Sequence, residues 1–456
     1  MIIALVRCKP AQEGFNPMIS NIFNDNDFIV SKKDRWLTGL IALFFATFYI
    51  PHAPVINNLA ILALGLFCFG YNSIAEKKVL LKERPEIYLI LAFYGWQIFS
   101  ALSSDNISNG LKYLVLRIPL LFLPVSFGLI CISKGVKWRI MLVYALLTTL
   151  AAMVCSVAAY IVYTRTGDAG FLYNDSLTAI IDKQSVYFAL MINIAIMIFG
   201  YLYIQRVISP RYRLWFLPIV AFLLVFHFML ASRTEIIFLY SSAIIFALYY
   251  FFIKKKNRPA GFTMVGVLLI CAALLVALFP KTVNRFNELR YPDYNFKNDA
   301  VESHYNMQLT SEQWNGFNIR LAIWTCGIEV IEANPVIGTS LGDKDRALLD
   351  KFEEKQFEFG IRTNKNMHST YLDMLAGMGI IGLLTFLLGY LVMPMVKALT
   401  YRDVIGALIL IDFALSFTTE TYPDRSMGCI IFGFFISFII AYKDSSQTAP
   451  GQPKNS

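Results

Sequence analysis

Asn364-Lys365-Asn366-Met367-His368-Ser369-Thr370-Tyr371 ends the long polar segment of this chain, which covers residues 281–370. Long apolar runs precede and follow that segment. Of the 456 residues, 57% are hydrophobic and 16% are charged, whereas soluble domains carry about 25% charged residues. Many runs reach the length of about 20 residues that a membrane-spanning helix needs. The sequence therefore predicts an all-α polytopic membrane protein with one large polar loop.

About twelve membrane-spanning helices are predicted, nine before the loop and three after it. The predicted spans are 37–52, 54–73, 86–103, 111–131, 138–163, 185–205, 212–231, 234–253, 262–280, 371–396, 403–419 and 426–442. The chain then divides into a leader (1–35), nine helices (36–280), the loop (281–370), three helices (371–442) and a polar tail (443–456).

The basic residues alternate along the connections between these spans. Connections near Lys77, Lys137, Arg211, Lys255 and Lys397 are rich in lysine and arginine, and the intervening connections are poor in both. Because basic loops mark the cytoplasmic side, both termini are predicted to be cytoplasmic and the large loop to lie outside. The net charge of +9 is thus explained by topology and does not indicate binding to nucleic acid.

Three residues on the predicted outer side are candidates for chemistry. His368 precedes a predicted helix and could accept a proton from a hydroxyl near neutral pH, or simply cap that helix. Arg233 lies in a turn between two spans and could bind phosphate, or extend to the interface as a snorkelling side chain. Arg320 could bind an anion or pair with Glu329 or Glu332. Since the outer side has no ATP or nucleotide-sugar, any transfer there needs a substrate that is already activated.

The loop is predicted to be partly helical. Apolar residues from Ile319 to Ile331 recur at helical spacing, and Asn334-Pro335 should end that helix. A turn-rich connector over 336–342 and a charged helix over 345–359 follow.

Other charged residues have less specific interpretations. Asp343-Lys344-Asp345 has the D-x-D pattern that can hold a divalent metal, but capping of the following helix explains it better. Arg117 and Asp412 lie within predicted spans and could form a buried pair or line a polar cavity. The sequence therefore predicts no metal site and no cofactor.

Three segments together resemble the O-antigen ligase and polymerase superfamily of bacterial envelope glycosyltransferases. The first is Ser232-Arg233-Thr234. The second joins 320–324 to 334–342, similar to the "R-x-x-x-W … N-P-x-x-G-x-G" motif. The third joins 368–372 to 377–383, similar to "H-N-x-Y-L … G-x-x-G-L", with ten residues between His368 and Gly379. Ser369 and Ser340 depart from the usual Asn and Gly.

The resemblance implies a GT-C-like, inverting and metal-independent glycosyltransferase in the bacterial inner membrane, with residues 281–370 as a periplasmic loop. The donor would be a glycan on undecaprenyl diphosphate, and Arg233 and Arg320 would bind the diphosphate. His368 would act as general base on a hydroxyl of lipid A–core, or orient it. An O-antigen polymerase that joins lipid-linked repeat units is the alternative within the superfamily. A polysaccharide or lipid transporter is the alternative from another class.

Overall fold

The computed structural model describes residues 31–298, 300, 302–303, 310 and 313–443. The predicted leader before Ser31 and the predicted tail after Lys443 lie outside these residues. The described part is helical and contains no β-strand beyond two isolated bridges, Ile132–Tyr442 and Glu302–Trp314. The all-α prediction is confirmed.

Helices lie at all twelve positions where the sequence predicts a span. Eight are long and apolar enough to cross a membrane: Pro54–Tyr71, Ile107–Gly128, Lys134–Thr166, Ser185–Ile204, Pro210–Met229, Arg233–Lys254, Arg258–Leu278 and Thr370–Thr400. The other four are Lys32–Phe48, Pro85–Leu102, Val404–Ser416 and Ser426–Ala441. The protein is therefore a multi-pass membrane protein, and the number of crossings and their orientation remain predictions.

Local sequence signals explain several helix ends. Ser31 and Asp34 form a capping box at the start of Lys32–Phe48. Proline occupies the first turn of Pro54–Tyr71 and of Pro85–Leu102, where its missing N–H costs no hydrogen bond.

The helix Ser426–Ala441 lies at the centre of the bundle. Nearly all of its side chains are buried, from Gly428 through Ala441. It packs against Ile118–Gly128, and a side chain at Gly433 would lie 2.8 Å from the Pro119 carbonyl oxygen. In contrast, Arg258–Leu278 lies at the periphery, with 11% of its span buried. That helix presents its apolar side chains to the lipid.

The large loop folds over a core of its own. Asn318–Ala333 buries Ile319, Ile323, Cys326 and Val330, as the helical spacing predicts, and it ends directly before Asn334-Pro335. The predicted charged helix 345–359 is instead two helices, Lys344–Glu354 and Glu358–Thr363. The break follows from Gln356, whose φ of +56° cannot continue a right-handed helix.

The helix Thr370–Phe386 is broken at Gly379, where φ is +62°. The connector after Asn334 crosses this break. Thr339 donates its backbone N–H to the Ala376 carbonyl (2.7 Å), and Ile380 donates to the Pro335 carbonyl (3.0 Å). Backbone groups that the break leaves without helical partners are thus paired by the loop. The glycine-containing segments 334–342 and 377–383 therefore contact each other and fix the loop on the membrane domain.

Gly379→Ala should destabilise the protein by about 2 kcal/mol or more, because a left-handed φ costs a side chain about 1–2 kcal/mol. Its Cβ would also lie 2.2 Å from the Val336 carbonyl oxygen. Thermal unfolding in detergent, followed by tryptophan fluorescence, measures the effect. Gly266→Ala is the matched control, since nothing lies within 4 Å of its Cβ position. Equal melting temperatures for Gly379→Ala and Gly266→Ala would contradict the structural role of the break at Gly379.

Candidate active site

A cavity of about 760 Å³ opens where the large loop meets the ends of the membrane helices. Arg233, Arg320 and His368 all line it. These residues come from the start of a membrane helix, from the loop helix Asn318–Ala333 and from the end of the loop. The structure therefore brings the three predicted site residues to one place, although 135 positions separate the first from the last.

His368 lies just before the helix Thr370–Phe386 in a left-handed conformation, with φ of +45°. Its backbone N–H donates to the Asn366 side-chain oxygen (3.2 Å), and the Trp324 indole N–H donates to the Met367 carbonyl (3.0 Å). The helix cap is Ser369, whose hydroxyl accepts from the backbone of Leu372. The interpretation of His368 as a helix cap is wrong, and its ring is available to the cavity.

Glu420 joins His368 to Arg320. Its Oε1 accepts a hydrogen bond from Arg320 Nη2 (2.6 Å), and its Oε2 lies 3.6 Å from His368 Nδ1. Burial raises the pKa of this carboxyl, but His368 and Arg320 outweigh burial and lower it to about 2. Glu420 is therefore ionised throughout the neutral range. Its contribution to stability is complete above the pKa of the unfolded chain and is lost as pH falls through about 2.

Arg320 does not pair with Glu329 or Glu332. Besides Glu420, its guanidinium donates to the carbonyl oxygens of Thr419 (3.2 Å) and Gly316. Glu329 lies instead beside Lys355, at 2.6 Å. The directed contacts of Arg320 hold its planar guanidinium on the cavity wall, where it is 16% exposed.

Arg233 is the first residue of the helix Arg233–Leu248. Its Nη1 donates to the Arg285 carbonyl (2.9 Å) and to Glu288 Oε2 (3.1 Å). Arg285 also lines the cavity and shares Glu288, at 3.1 Å. A snorkelling side chain would extend to water, whereas Arg233 is 14% exposed and bound to protein groups. The snorkelling interpretation is therefore wrong.

A second charged cluster attaches the loop to the bundle. Buried Arg117 pairs with Asp424 (2.8 Å) and Asp373 (3.4 Å), and Lys344 pairs with the same two carboxylates. Burial disfavours the charged amine, but the two carboxylates raise the pKa of Lys344. Arg117 does not pair with Asp412, so that alternative is wrong. Two cations and two anions balance here, which indicates a structural role.

The D-x-D carboxylates have separate structural partners. Asp343 accepts from the backbone N–H groups of Asp105 (2.8 Å) and Asn106 (2.9 Å), and Asp345 accepts from the Tyr113 hydroxyl (2.6 Å). Asp343 is the N-cap residue of Lys344–Glu354, as predicted, but its side chain makes no capping hydrogen bond to that helix. Within the described ranges no three His, Cys, Asp or Glu residues are grouped as metal ligands.

Residues 218–387 match the family model described as O-antigen ligase. This stretch is similar to the O-antigen ligase family. The predicted membership of the superfamily is confirmed for it, and Arg233, Arg320 and His368 all lie inside it. Glu420 lies beyond its end. A comparison with curated proteins finds no match. The chain thus carries a ligase- or polymerase-type enzyme domain of envelope glycan assembly.

The sequence did not identify Glu420, Arg285 or Glu288 as part of the site. Glu420 lies in the connection between the predicted spans 403–419 and 426–442, which is poor in lysine and arginine and is therefore predicted to lie on the outer side with His368. The same connection contains Asp424, so residue type alone did not distinguish Glu420 as a site residue. Nothing in the spacing indicated that Arg285 and Glu288 would contact Arg233, since those contacts depend on how the loop folds back.

Proposed function

We propose that the protein is an O-antigen ligase, which transfers a glycan from undecaprenyl diphosphate to a sugar hydroxyl of lipid A–core. The observation that carries this proposal is the cavity at the membrane domain's end, with Arg233, Arg320 and His368 on its walls. The matched ligase domain supports the same conclusion. The active site would face the periplasm of a bacterial inner membrane, as the basic loops indicate.

The two arginines suit a diphosphate leaving group. Arginine binds phosphate oxygens through two parallel N–H groups and remains charged at any physiological pH. Both guanidiniums are held by carboxylates, Glu288 and Glu420, before any donor arrives. Such pre-placed charge stabilises the negative charge that develops on the diphosphate as its bond to the sugar breaks. This positive charge fills the role of a metal ion, so we expect transfer without one.

His368 suits the acceptor side of the reaction. Its Nδ1 faces Glu420, which leaves Nε2 to accept the proton of the acceptor hydroxyl. The acceptor oxygen then forms a bond to the anomeric carbon while the bond from that carbon to the diphosphate oxygen breaks. The proton leaves His368 for the diphosphate or for water. A single displacement of this kind inverts the anomeric configuration.

To test this proposal, purified protein is incubated in liposomes with undecaprenyl-diphosphate glycan and lipid A–core, with and without EDTA. Glycan-bearing lipid A–core that forms in EDTA is the expected result. Longer lipid-linked chains with no attachment to core would establish the polymerase instead. Movement of lipid-linked glycan across the bilayer without any new glycosidic bond would establish a transporter. Activity lost in EDTA and restored by Mg²⁺ would contradict the metal-independent mechanism.

Glu420→Gln should lower kcat more than it raises KM, because Glu420 positions His368 and Arg320 without touching the reacting atoms. Initial rates measured over a range of donor concentrations separate kcat from KM and check this split. Glu353→Gln, at an exposed position on the loop, is the control. A kcat equal to that of Glu353→Gln would show that Glu420 does not position the reacting groups.

A further inference from the structure

A further cluster of titratable groups, separate from the one around Arg117 and Lys344, lies inside the membrane domain below the cavity. Glu235, Asp412 and Asn193 are each 0% exposed, and Ser416 is 1% exposed. They come from three helices that pack together: Arg233–Leu248, Val404–Ser416 and Ser185–Ile204. The proposed transfer reaction uses none of them.

The two carboxyl groups lie side by side without a basic partner. Asp412 interacts with Glu235 and with Asn193. Neither carboxyl forms an ion pair with a lysine, arginine or histidine of the described residues, in contrast to Asp373 and Asp424. The other titratable groups near the pair are Tyr144, Tyr422 and Glu420. Two uncompensated negative charges in such an apolar site would carry a large desolvation penalty.

Several oxygens of the cluster also lack donors. Both Asp412 carboxyl oxygens and the Asn193 amide oxygen have no hydrogen-bond partner among the described residues. The Asn193 amide is aimed into the cluster, since its nitrogen donates to Glu235 Oε2 (2.8 Å). Ser416 Oγ lies within hydrogen-bond distance of both Glu235 Oε1 and the Asp412 carbonyl. Its single hydrogen cannot satisfy both acceptors.

We propose that Glu235, Asp412, Asn193 and Ser416 form a binding site for one small monovalent cation. Oxygen atoms of carboxylate, amide and hydroxyl groups are the ligands that hard cations prefer. A proton that the two carboxyl groups share would supply a single positive charge. A sodium ion would supply the same charge. The site is built from oxygen acceptors on three helices, and the cation reduces the buried negative charge from two to one.

The cluster lies close in sequence to Arg233 and Glu420, so a bound cation would affect how these two residues are placed. Glu235 follows Arg233 by two residues, and Ser416 precedes Glu420 by four. Thr234 and Thr419 join the two segments through their hydroxyls, 3.1 Å apart. Without the cation, repulsion between the carboxylates would separate the helix ends that carry Arg233 and Glu420. A bound cation therefore holds the two halves of the cavity floor together.

The experiment uses full-length protein in detergent at pH 7, prepared in choline salts without sodium. In the first arm, NaCl replaces choline chloride at constant ionic strength while thermal unfolding is followed. A sodium ion at the site gives a saturable rise in melting temperature that Asp412→Asn and Glu235→Gln abolish. In the second arm, the infrared spectrum of the sodium-free protein is recorded. A bound proton gives the carbonyl band of a protonated carboxylic acid, and both variants change the frequency or intensity of that band.

Either positive arm supports the site and identifies its cation. The proposal would be overturned if wild-type protein showed no sodium-dependent rise in melting temperature and no protonated-carboxyl band that the variants change. Asp350→Asn, at an exposed ion pair on the loop, should leave both readouts unchanged. If the carboxyl variants fail to fold, Asn193→Ala retains both acids and should weaken the sodium effect or shift the band. Neither readout involves glycan transfer, so this inference and the proposed function can fail separately.

Discussion

His368→Ala should reduce the rate of glycan transfer by about 100- to 10,000-fold, the range expected when a general base is removed. The loss should fall on kcat, because the ring acts on the acceptor hydroxyl and does not hold the donor. Product formation in the liposome reaction measures the rate. The melting temperature should change little, since helix capping is performed by Ser369 and the ring has a single polar contact, 3.6 Å from Glu420.

His52→Ala is the matched control for that experiment. Unlike His368, His52 lies outside the matched residues 218–387, and its side chain is 83% exposed beside Asp182. Full activity in His52→Ala together with the loss in His368→Ala would assign the effect to the cavity. A His368→Ala protein that still transfers glycan at more than about a tenth of the normal rate would exclude His368 as the general base.

Arg320→Lys should reduce transfer by roughly 100- to 1,000-fold, as removal of a transition-state hydrogen-bond donor does. Lysine keeps the charge but cannot reproduce a planar guanidinium that contacts Glu420 and two carbonyl oxygens at once. The effect should appear in kcat/KM for the lipid-linked donor, and the KM for the acceptor should be less affected.

Arg346→Lys provides the comparison, because Arg346 lies on the same loop but is 63% exposed and pairs only with surface acids. It should retain normal activity. If Arg320→Lys is as active as Arg346→Lys, Arg320 is not a diphosphate ligand and serves only to place Glu420.

The sequence predicted the positions of the apolar helices and of the loop helix correctly because both depend on short-range patterns. Runs of apolar residues gave the helix positions, and Pro335 gave the end of Asn318–Ala333. The break at Gly379 was not predicted. It depends on hydrogen bonds to Pro335 and Thr339, which lie about forty residues earlier in the chain. Pairing between distant segments leaves no local periodicity.

The candidate site shows the same division. Residue type identified Arg233, Arg320 and His368, since phosphate binding and proton transfer each favour few side chains. The partners of Arg320 were wrong, because neighbours along the helix were preferred to Glu420, one hundred positions away. The two acids of the D-x-D pattern are close in sequence but have separate partners in the fold, so their spacing did not predict their contacts.

The central position of Ser426–Ala441 has a consequence for biogenesis. A ribosome delivers this helix to the membrane after every other described helix, yet it occupies the middle of the bundle. The earlier helices must therefore leave a slot open until it inserts. The turn that carries Glu420 lies immediately before it, so catalytic competence should arise only when synthesis of this last helix is complete.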